Sequence, residues 1–338
     1  MVTRNIILTM ALSAALCGIA AAGERTYYVD PDGNDNAKGI SWASAFKTIQ
    51  KGIDSTGTDD TVEVNVGTYR ENLKFCGQRE NMRCTITSTK PDDWNTVAVT
   101  IIDGNRMTNT VRLCIGANVR FSGFTVTGGT CGVRFEKGSP SVVSNCIIRN
   151  NSEAGVVCRQ TDATVTDCII RNNGNQGIFA SEAYVVAKNN LIYDNNEGIT
   201  IIGPYTTGIL RNNTIVNNRS RGITRGGDAN VMPANCIIWN NGNDLSGCSA
   251  TYSCIKNVND ANGAGNITSD PCFVDAGKKN FHLGIHSPCV DAGNPSEDYS
   301  DQVDIDGEAR VIGARVDIGA DELNVPPPDS NHPPDANK

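Results

Sequence analysis

The chain has few of the residues that mark several common protein classes. Histidine occurs only three times in 338 residues, as His282, His286 and His332, and no two of the thirteen cysteines are spaced C-x-x-C. That argues against a metal cluster, so no metal site is assigned at this stage. Leucine is too scarce for leucine-rich repeats, which need a regular leucine run in every unit. Aromatic side chains are only 6% of the chain. Positive charge is not in excess either: the formal net charge is −8, so electrostatics offer no reason to seek a polyanion and no nucleic acid partner is expected. Beyond residue 22 no apolar stretch is long enough to span a bilayer.

What is present begins with an export signal. Arg4 precedes an apolar run from Ile6 to Ala22 that ends in small residues. Ala20 and Ala22 fit a small-x-small cleavage site, which puts the mature start near Gly23 and the protein outside the cytoplasm, secreted or else periplasmic or at the cell surface. Cys17 follows Leu16 rather than a small residue, which argues against lipidation. The cysteines after it are read as buried thiols with some disulfides, as an oxidising compartment permits.

The strongest feature is a repeat. Asn145-Cys-Ile-Ile-Arg-Asn-Asn151 recurs as Asp167-Cys-Ile-Ile-Arg-Asn-Asn173, Asn189-Asn-Leu-Ile-Tyr-Asp-Asn195, Asn212-Asn-Thr-Ile-Val-Asn-Asn218 and Asn235-Cys-Ile-Ile-Trp-Asn-Asn241, at offsets of 22, 22, 23 and 23 residues. Gly123 to Gly129 fits one unit earlier. A second signal, glycine followed by an apolar residue, runs in phase at Gly132, Gly155, Gly177, Gly198 and Gly222. Each unit offers three short β-branched stretches separated by Gly, Asn or Asp. The expected fold is therefore all-β: a single-stranded, right-handed parallel β-helix with three short strands per coil of about 22 residues. Roughly ten coils at about 4.8 Å each predict a rod of about 50 Å.

Strand alternation sorts the columns. Val126, Ile148, Ile170, Ile192, Ile215 and Ile238 form an inward aliphatic stack. Two residues earlier, Phe124, Cys146, Cys168, Asn190, Asn213 and Cys236 also face inward, where asparagine can bond its amide to the next coil. Cys146 and Cys168 are stacked neighbours, open to a disulfide or to two free thiols. A solenoid needs its ends covered. Trp42, Ala45, Phe46, Ile49 and Ile53 lie on one helical face of Ser41 to Asp54 and predict an N-terminal capping helix, with Val62, Val64 and Val66 beginning the first strand. The expected division is signal peptide 1–22, N-terminal cap 23–58, β-helix 59–290, C-terminal cap 291–323 folded over the end, and a Pro-rich, disordered tail 324–338.

These blocks carry a resemblance. The opening Tyr27-Tyr-Val-Asp-Pro-Asp-Gly-Asn-Asp35 with Ser41-Trp42 and Phe46-Lys-Thr-Ile-Gln50, the repeats, and the closing Asn266-Ile267, Asp270-Pro271, Phe273-Val-Asp275, His282-Leu283, Ser287-Pro-Cys-Val-Asp-Ala-Gly293 and Val316-Asp-Ile-Gly-Ala-Asp-Glu322 resemble secreted bacterial β-helix proteins of the pectate-lyase-like superfamily with a choice-of-anchor Q type closing region. In that family a sorting or anchoring signal often follows the closing region; here only the Pro-rich tail does. The resemblance implies a fold shared by lyases, hydrolases, epimerases and non-enzymes, and so leaves the reaction open.

It also implies a place to look, since substrate in such enzymes lies along the strand with the Gly-apolar unit. Its outward positions are Arg134, Val157, Phe179, Thr200 and Thr224, followed by Glu136, Arg159, Ser181, Ile202 and Gly226. Stacked carboxylates for a calcium-dependent lyase and paired aspartates for a hydrolase are missing there. Arg134, Glu136 and Arg159 are the candidate catalytic residues: the arginines to clamp a sugar carboxylate, Glu136 as acid or base. Phe179, with Tyr193 and Trp239 on a second flank beside Arg149 and Arg171, is a candidate substrate-binding aromatic. The competing reading is a solvated ion-pair ladder with surface aromatics. The Asp-rich stretches Asp30 to Asn36 and Asp301 to Asp306 lack the Gly and Glu spacing of an EF-hand, so turn capping is expected in place of calcium, and no cofactor is assigned. The function expected is a monomeric protein that binds or acts on polysaccharide, or alternatively a non-catalytic surface or adhesion module.

Overall fold

The computed structural model describes residues 24–75, 83–114, 116–138 and 140–324. Residues 1–22, expected to be an export signal, with Cys17, Cys76, the Pro-rich stretch after residue 324 and His332, lie outside the described residues. Three parallel sheets of nine, nine and eight strands wind as a right-handed β-helix, each coil contributing one strand to each sheet. In one coil the chain passes from Ser141–Ser144 in the first sheet to Ile147–Arg149 in the second and Val156–Arg159 in the third. The next begins at Asp162–Thr166.

The repeat sets this path residue by residue. Asn145, Asp167, Asn189, Asn212 and Asn235 have φ between 50° and 54°, and Asn150, Asn172, Asp194, Asn217 and Asn240 between 54° and 58°. Asn and Asp tolerate this left-handed region better than other residues with a Cβ, so the two positions make the corners on either side of the three-residue strand. Between the corners, Ile148 pairs with Val126 on one side and Ile170 on the other, and Ile192, Ile215 and Ile238 continue the register. All six are fully buried, each worth about 1.5–3 kcal/mol of apolar transfer.

Two hydrogen-bonded ladders run beside this stack. Asn190 donates its N–H and Nδ2 to Asn213 Oδ1 at 3.1 and 2.9 Å, while its own Oδ1 accepts from Cys168 N. The second ladder occupies the last position of the repeat and is longer. Asn151, Asn173, Asn195 and Asn218 each donate both N–H and Nδ2 to the Oδ1 of the asparagine one coil on, at 2.9 to 3.1 Å, and Asn241 passes the ladder to Asp244 Oδ1. Cys146 and Cys168 are free thiols, which closes the question left by their stacking; Cys114 is disulfide-bonded.

The ends differ from expectation. The first sheet starts one strand earlier than Val62, because Thr26–Val29 pairs with it in parallel. The capping helix α1 spans only Ile49–Ser55, with Thr48 accepting from Lys51 N at its start; Trp42–Ser44 is a single 3-10 turn. Ile49 and Ile53 are buried from α1 and join Val29 and Val62 in the core, closing that end. A second helix, α2 (Trp94–Val99), fills the stretch where the repeat is loose, capped by Asp93 and burying Val97. At the other end Leu245, Cys248, Ala250 and Ala261 pack on the core. The segment after residue 270 does not close that end. It forms an antiparallel pair, Phe273–Asp275 with Asn280–Leu283, and then runs back along the corner between the first and second sheets. Asn235 Oδ1 accepts from Asn294 N, Asn189 Nδ2 donates to Val303 O, and Trp94 Nε1 reaches Ile305 O. The physical reason is apolar: Tyr193, Val216, Ile237 and Cys254 on the outer face of the second sheet are covered by Phe281, Leu283, Cys289 and Ile318.

Candidate functional site

The candidate site is built where the third sheet turns back into the first. Arg112 and Arg134 are register partners on adjacent strands, as are Phe135 and Cys158, so equivalent side chains stand one coil apart. Glu136, the residue after the strand Val133–Phe135, bridges two of them: Arg112 Nη2 donates to Oε2 at 2.9 Å and Arg134 Nε to Oε1 at 3.1 Å. Burial alone raises the Glu136 carboxyl, but the hydrogen bonds and charges of Arg112 and Arg134 outweigh it and hold the group below its usual range. Glu136 is thus a carboxylate held between two guanidinium groups.

Around it lies an open hollow of about 450 Å³, lined by Arg134, Glu136, Lys137, Arg159, Gln160, Ser181 and Glu182. Gln160 and Glu182 sit at the corner with φ of 52° and 51°, and Gln160 Nε2 donates to Glu182 Oε2 at 2.9 Å. A second hollow of about 540 Å³ shares Lys137, Gln160 and Glu182 and continues past Asp162 to Tyr184 and Tyr205. Tyr205 is 96% exposed. Together they make a groove across four consecutive coils, cationic at one end and aromatic at the other.

Of the residues singled out from the sequence, Arg134, Glu136 and Arg159 come together in this hollow. Phe179 is beside them, with the Arg159 guanidinium 5.2 Å from its ring centroid, so one ring face is already engaged by a cation. Val157 and Thr200, expected to point into solvent, are buried; Val157 packs with Cys131 and Ala154 from the loops that cross the strand. Tyr193 and Trp239 are not with this group. They lie on the outer side of the second sheet, where Tyr193 is 8% exposed and its ring centroid is 5.1 Å from that of Phe281. Trp239 packs on the same cluster. The open second flank expected for them is closed by the C-terminal segment, which covers an apolar surface that would otherwise face water. Sequence reasoning missed Arg112, because the repeat is loose one coil before Arg134, and it missed Lys137, Gln160, Glu182, Tyr184 and Tyr205, because only strand positions were scored and these stand at or beside the corner.

No curated protein sequence is similar to the chain. Residues 79–206 match the family model described as the right-handed β-helix region. Among solved structures the fold is similar to that of pectate lyase Pel9A, at 15% identity and a TM-score of 0.54 over 90% of this chain and 97% of that one. It is similar also to XylC, solved in complex with xylose, at 11% identity and a TM-score of 0.53 over 68% of this chain and 65% of that one. At these identities the likeness is one of fold.

Proposed function

We propose that this chain is an exported protein that binds a uronate-containing polysaccharide in the corner groove, and that it holds the glycan without cleaving it. The observation that carries the reading is the hollow itself, in which Arg134, Lys137 and Arg159 surround a space of about 450 Å³. A sugar carboxylate meets there the planar fork of a guanidinium, the geometry that pairs best with it. Tyr184 and Tyr205 supply apolar faces further along for sugar rings, an amphipathic contact of the kind tyrosine makes well. A fold like that of a pectate lyase and of a protein solved with xylose is consistent with a carbohydrate ligand. Export rests on residues 1–22 and display at the surface on the likeness of residues 266–322 to a choice-of-anchor Q type closing region.

The state of Glu136 supports binding without cleavage. A general acid for glycoside hydrolysis needs a carboxyl whose pKa is raised, and the two arginines act in the opposite direction. The second reading, a hydrolase or lyase, is favoured by one observation: Glu182 brings a second carboxylate to the same hollow. The experiment is calorimetric titration of the mature protein with polygalacturonate and with neutral xylan, followed by assay of both mixtures for new reducing ends and unsaturated products. The expected result is salt-sensitive binding of the acidic polymer alone, without products, and its loss in Arg134→Ala/Arg159→Ala. Equal affinity for the neutral polymer would overturn the uronate assignment, and products that vanish in Glu136→Gln or Glu182→Gln would replace binding by catalysis.

A further inference from the structure

Far from the groove, the C-terminal segment brings three metal-ligating side chains from three separate stretches to one point. His282 lies on the strand Asn280–Leu283, Asp306 in the turn after Asp304, and Asp321 near the end of the described chain. One ligand atom from each lies within 4.8 Å of the others. Atoms bound to one zinc ion at about 2.0–2.2 Å are at most about 4.4 Å apart, a separation that a small side-chain rotation reaches.

We propose that His282, Asp306 and Asp321 form a binding site for a divalent ion of the zinc class, which fastens the C-terminal segment to the antiparallel strand pair. The imidazole is oriented for it. Its Nδ1 is 2.5 Å from Asn280 Oδ1, an acceptor that fixes the proton on that nitrogen, and its Nε2 then points at Asp306 Oδ2 at 2.8 Å. Without a metal this contact is a His–Asp ion pair, in which a divalent ion would take the place of the shared proton, and a hydrogen bond on the far ring nitrogen is how metal-binding imidazoles are held. Asp321 gives an independent sign. It is 8% exposed, and the one hydrogen bond to its carboxylate among the described residues is from Leu283 N to Oδ2 at 2.7 Å, which fixes the carboxylate and leaves its other oxygen open to a ligand.

Asp304 holds the ligand-bearing backbones in place: its Oδ1 accepts from Asp306 N and Glu308 N, and its Oδ2 from Glu322 N. The neighbouring cation, Arg310, is engaged elsewhere, with Asp317 O, Gly319 O and Glu322. One nitrogen and two carboxylates suit zinc or manganese better than calcium, which takes oxygen ligands throughout. His282 and Asp306 are exposed, so water can complete the coordination.

The test is titration of chelator-treated, full-length protein with zinc chloride by calorimetry, beside His282→Gln and Asp306→Asn, with thermal melts of each. Both variants change exposed side chains, and melts without zinc check that they fold. The expected result is one equivalent bound by the wild type, affinity at least about ten-fold lower in either variant, and a zinc-dependent rise in Tm that the variants lose. Absence of saturable binding, unchanged affinity in the variants, or tight binding of calcium alone would overturn the proposal. Cobalt in place of zinc separates this site from the thiols, since a thiolate-to-cobalt charge-transfer band would place the ion on cysteine and refute the assignment.

Discussion

Asparagine does two different jobs in this molecule, one residue apart. At Asn172 it accepts a left-handed backbone at a corner, and at Asn173 its amide is buried and becomes a rung of the ladder. Removing a rung leaves donors on one side and an acceptor on the other unpaired in a dry interior, at about 1–3 kcal/mol for each orphaned group. Asn195→Ala should therefore cost about 2–4 kcal/mol in urea unfolding, and a loss below about 1 kcal/mol would show that water replaces the amide. Asp167 is the odd member of a corner column otherwise made of Asn145, Asn189, Asn212 and Asn235. Burial pushes its carboxyl up from 3.8, against the pull of hydrogen bonds from Thr166 and Asn189. A carboxyl raised by folding contributes stability that is complete below its unfolded pKa and is lost as pH rises through the folded one. Asp167→Asn keeps both neighbours as partners and does not titrate, so it should be more stable than the wild type at pH 7 and lose that advantage below about pH 4. Chemical denaturation at the two pH values distinguishes this from a pH-independent change.

At the scale of the strand, the Gly-apolar unit has a reason that composition alone does not convey. Gly155, Gly177 and Gly198 stand where the third sheet passes over the aliphatic stack and the asparagine ladder. A Cβ on Gly177 would lie 2.7 Å from Ile192 Cγ2 and 2.8 Å from Gly198 O, and the same contacts recur a coil away at Gly155. The backbone on one side cannot yield without breaking the parallel ladder. Gly177→Ala is expected to destabilise the protein by about 1–3 kcal/mol as overpacking, measured as a lower Tm with unchanged secondary structure. If Tm stayed within a degree of wild type, the coils would be more loosely stacked than these contacts imply.

At the scale of the whole molecule, the rod is stabilised along its side as well as at its ends. The C-terminal segment is stitched to it through Arg211 with Glu297, Asn235 with Asn294, and Trp94 with Ile305, and it covers Tyr193, Val216 and Ile237. The side chains it covers form one contiguous apolar cluster, and such a cluster left open to water is an aggregation surface. A chain ending at residue 269 should retain the β-rich far-ultraviolet spectrum of the coils, bind a hydrophobic dye strongly and melt well below the full chain. Dye binding equal to that of the full chain would show the cover to be dispensable.

Much of this was legible in one dimension. The period, the inward columns and their register followed from the recurrence of Asn145 to Asn151, because a 22-residue coil stacked at the interstrand spacing turns sequence offset directly into spatial adjacency. Arg134, Glu136 and Arg159 could be placed side by side for the same reason. The repeat could not say which outer faces stay open, since that depends on chain that does not repeat: Tyr193 and Trp239 read as free until residues 273–323 lay down on them. Nor could it show that Arg112 pins Glu136, or that His282, Asp306 and Asp321 meet. Local pattern sets what a strand buries within its own coil, whereas contacts between a periodic rod and an aperiodic segment have no spacing rule and are decided only when the segment folds onto the rod.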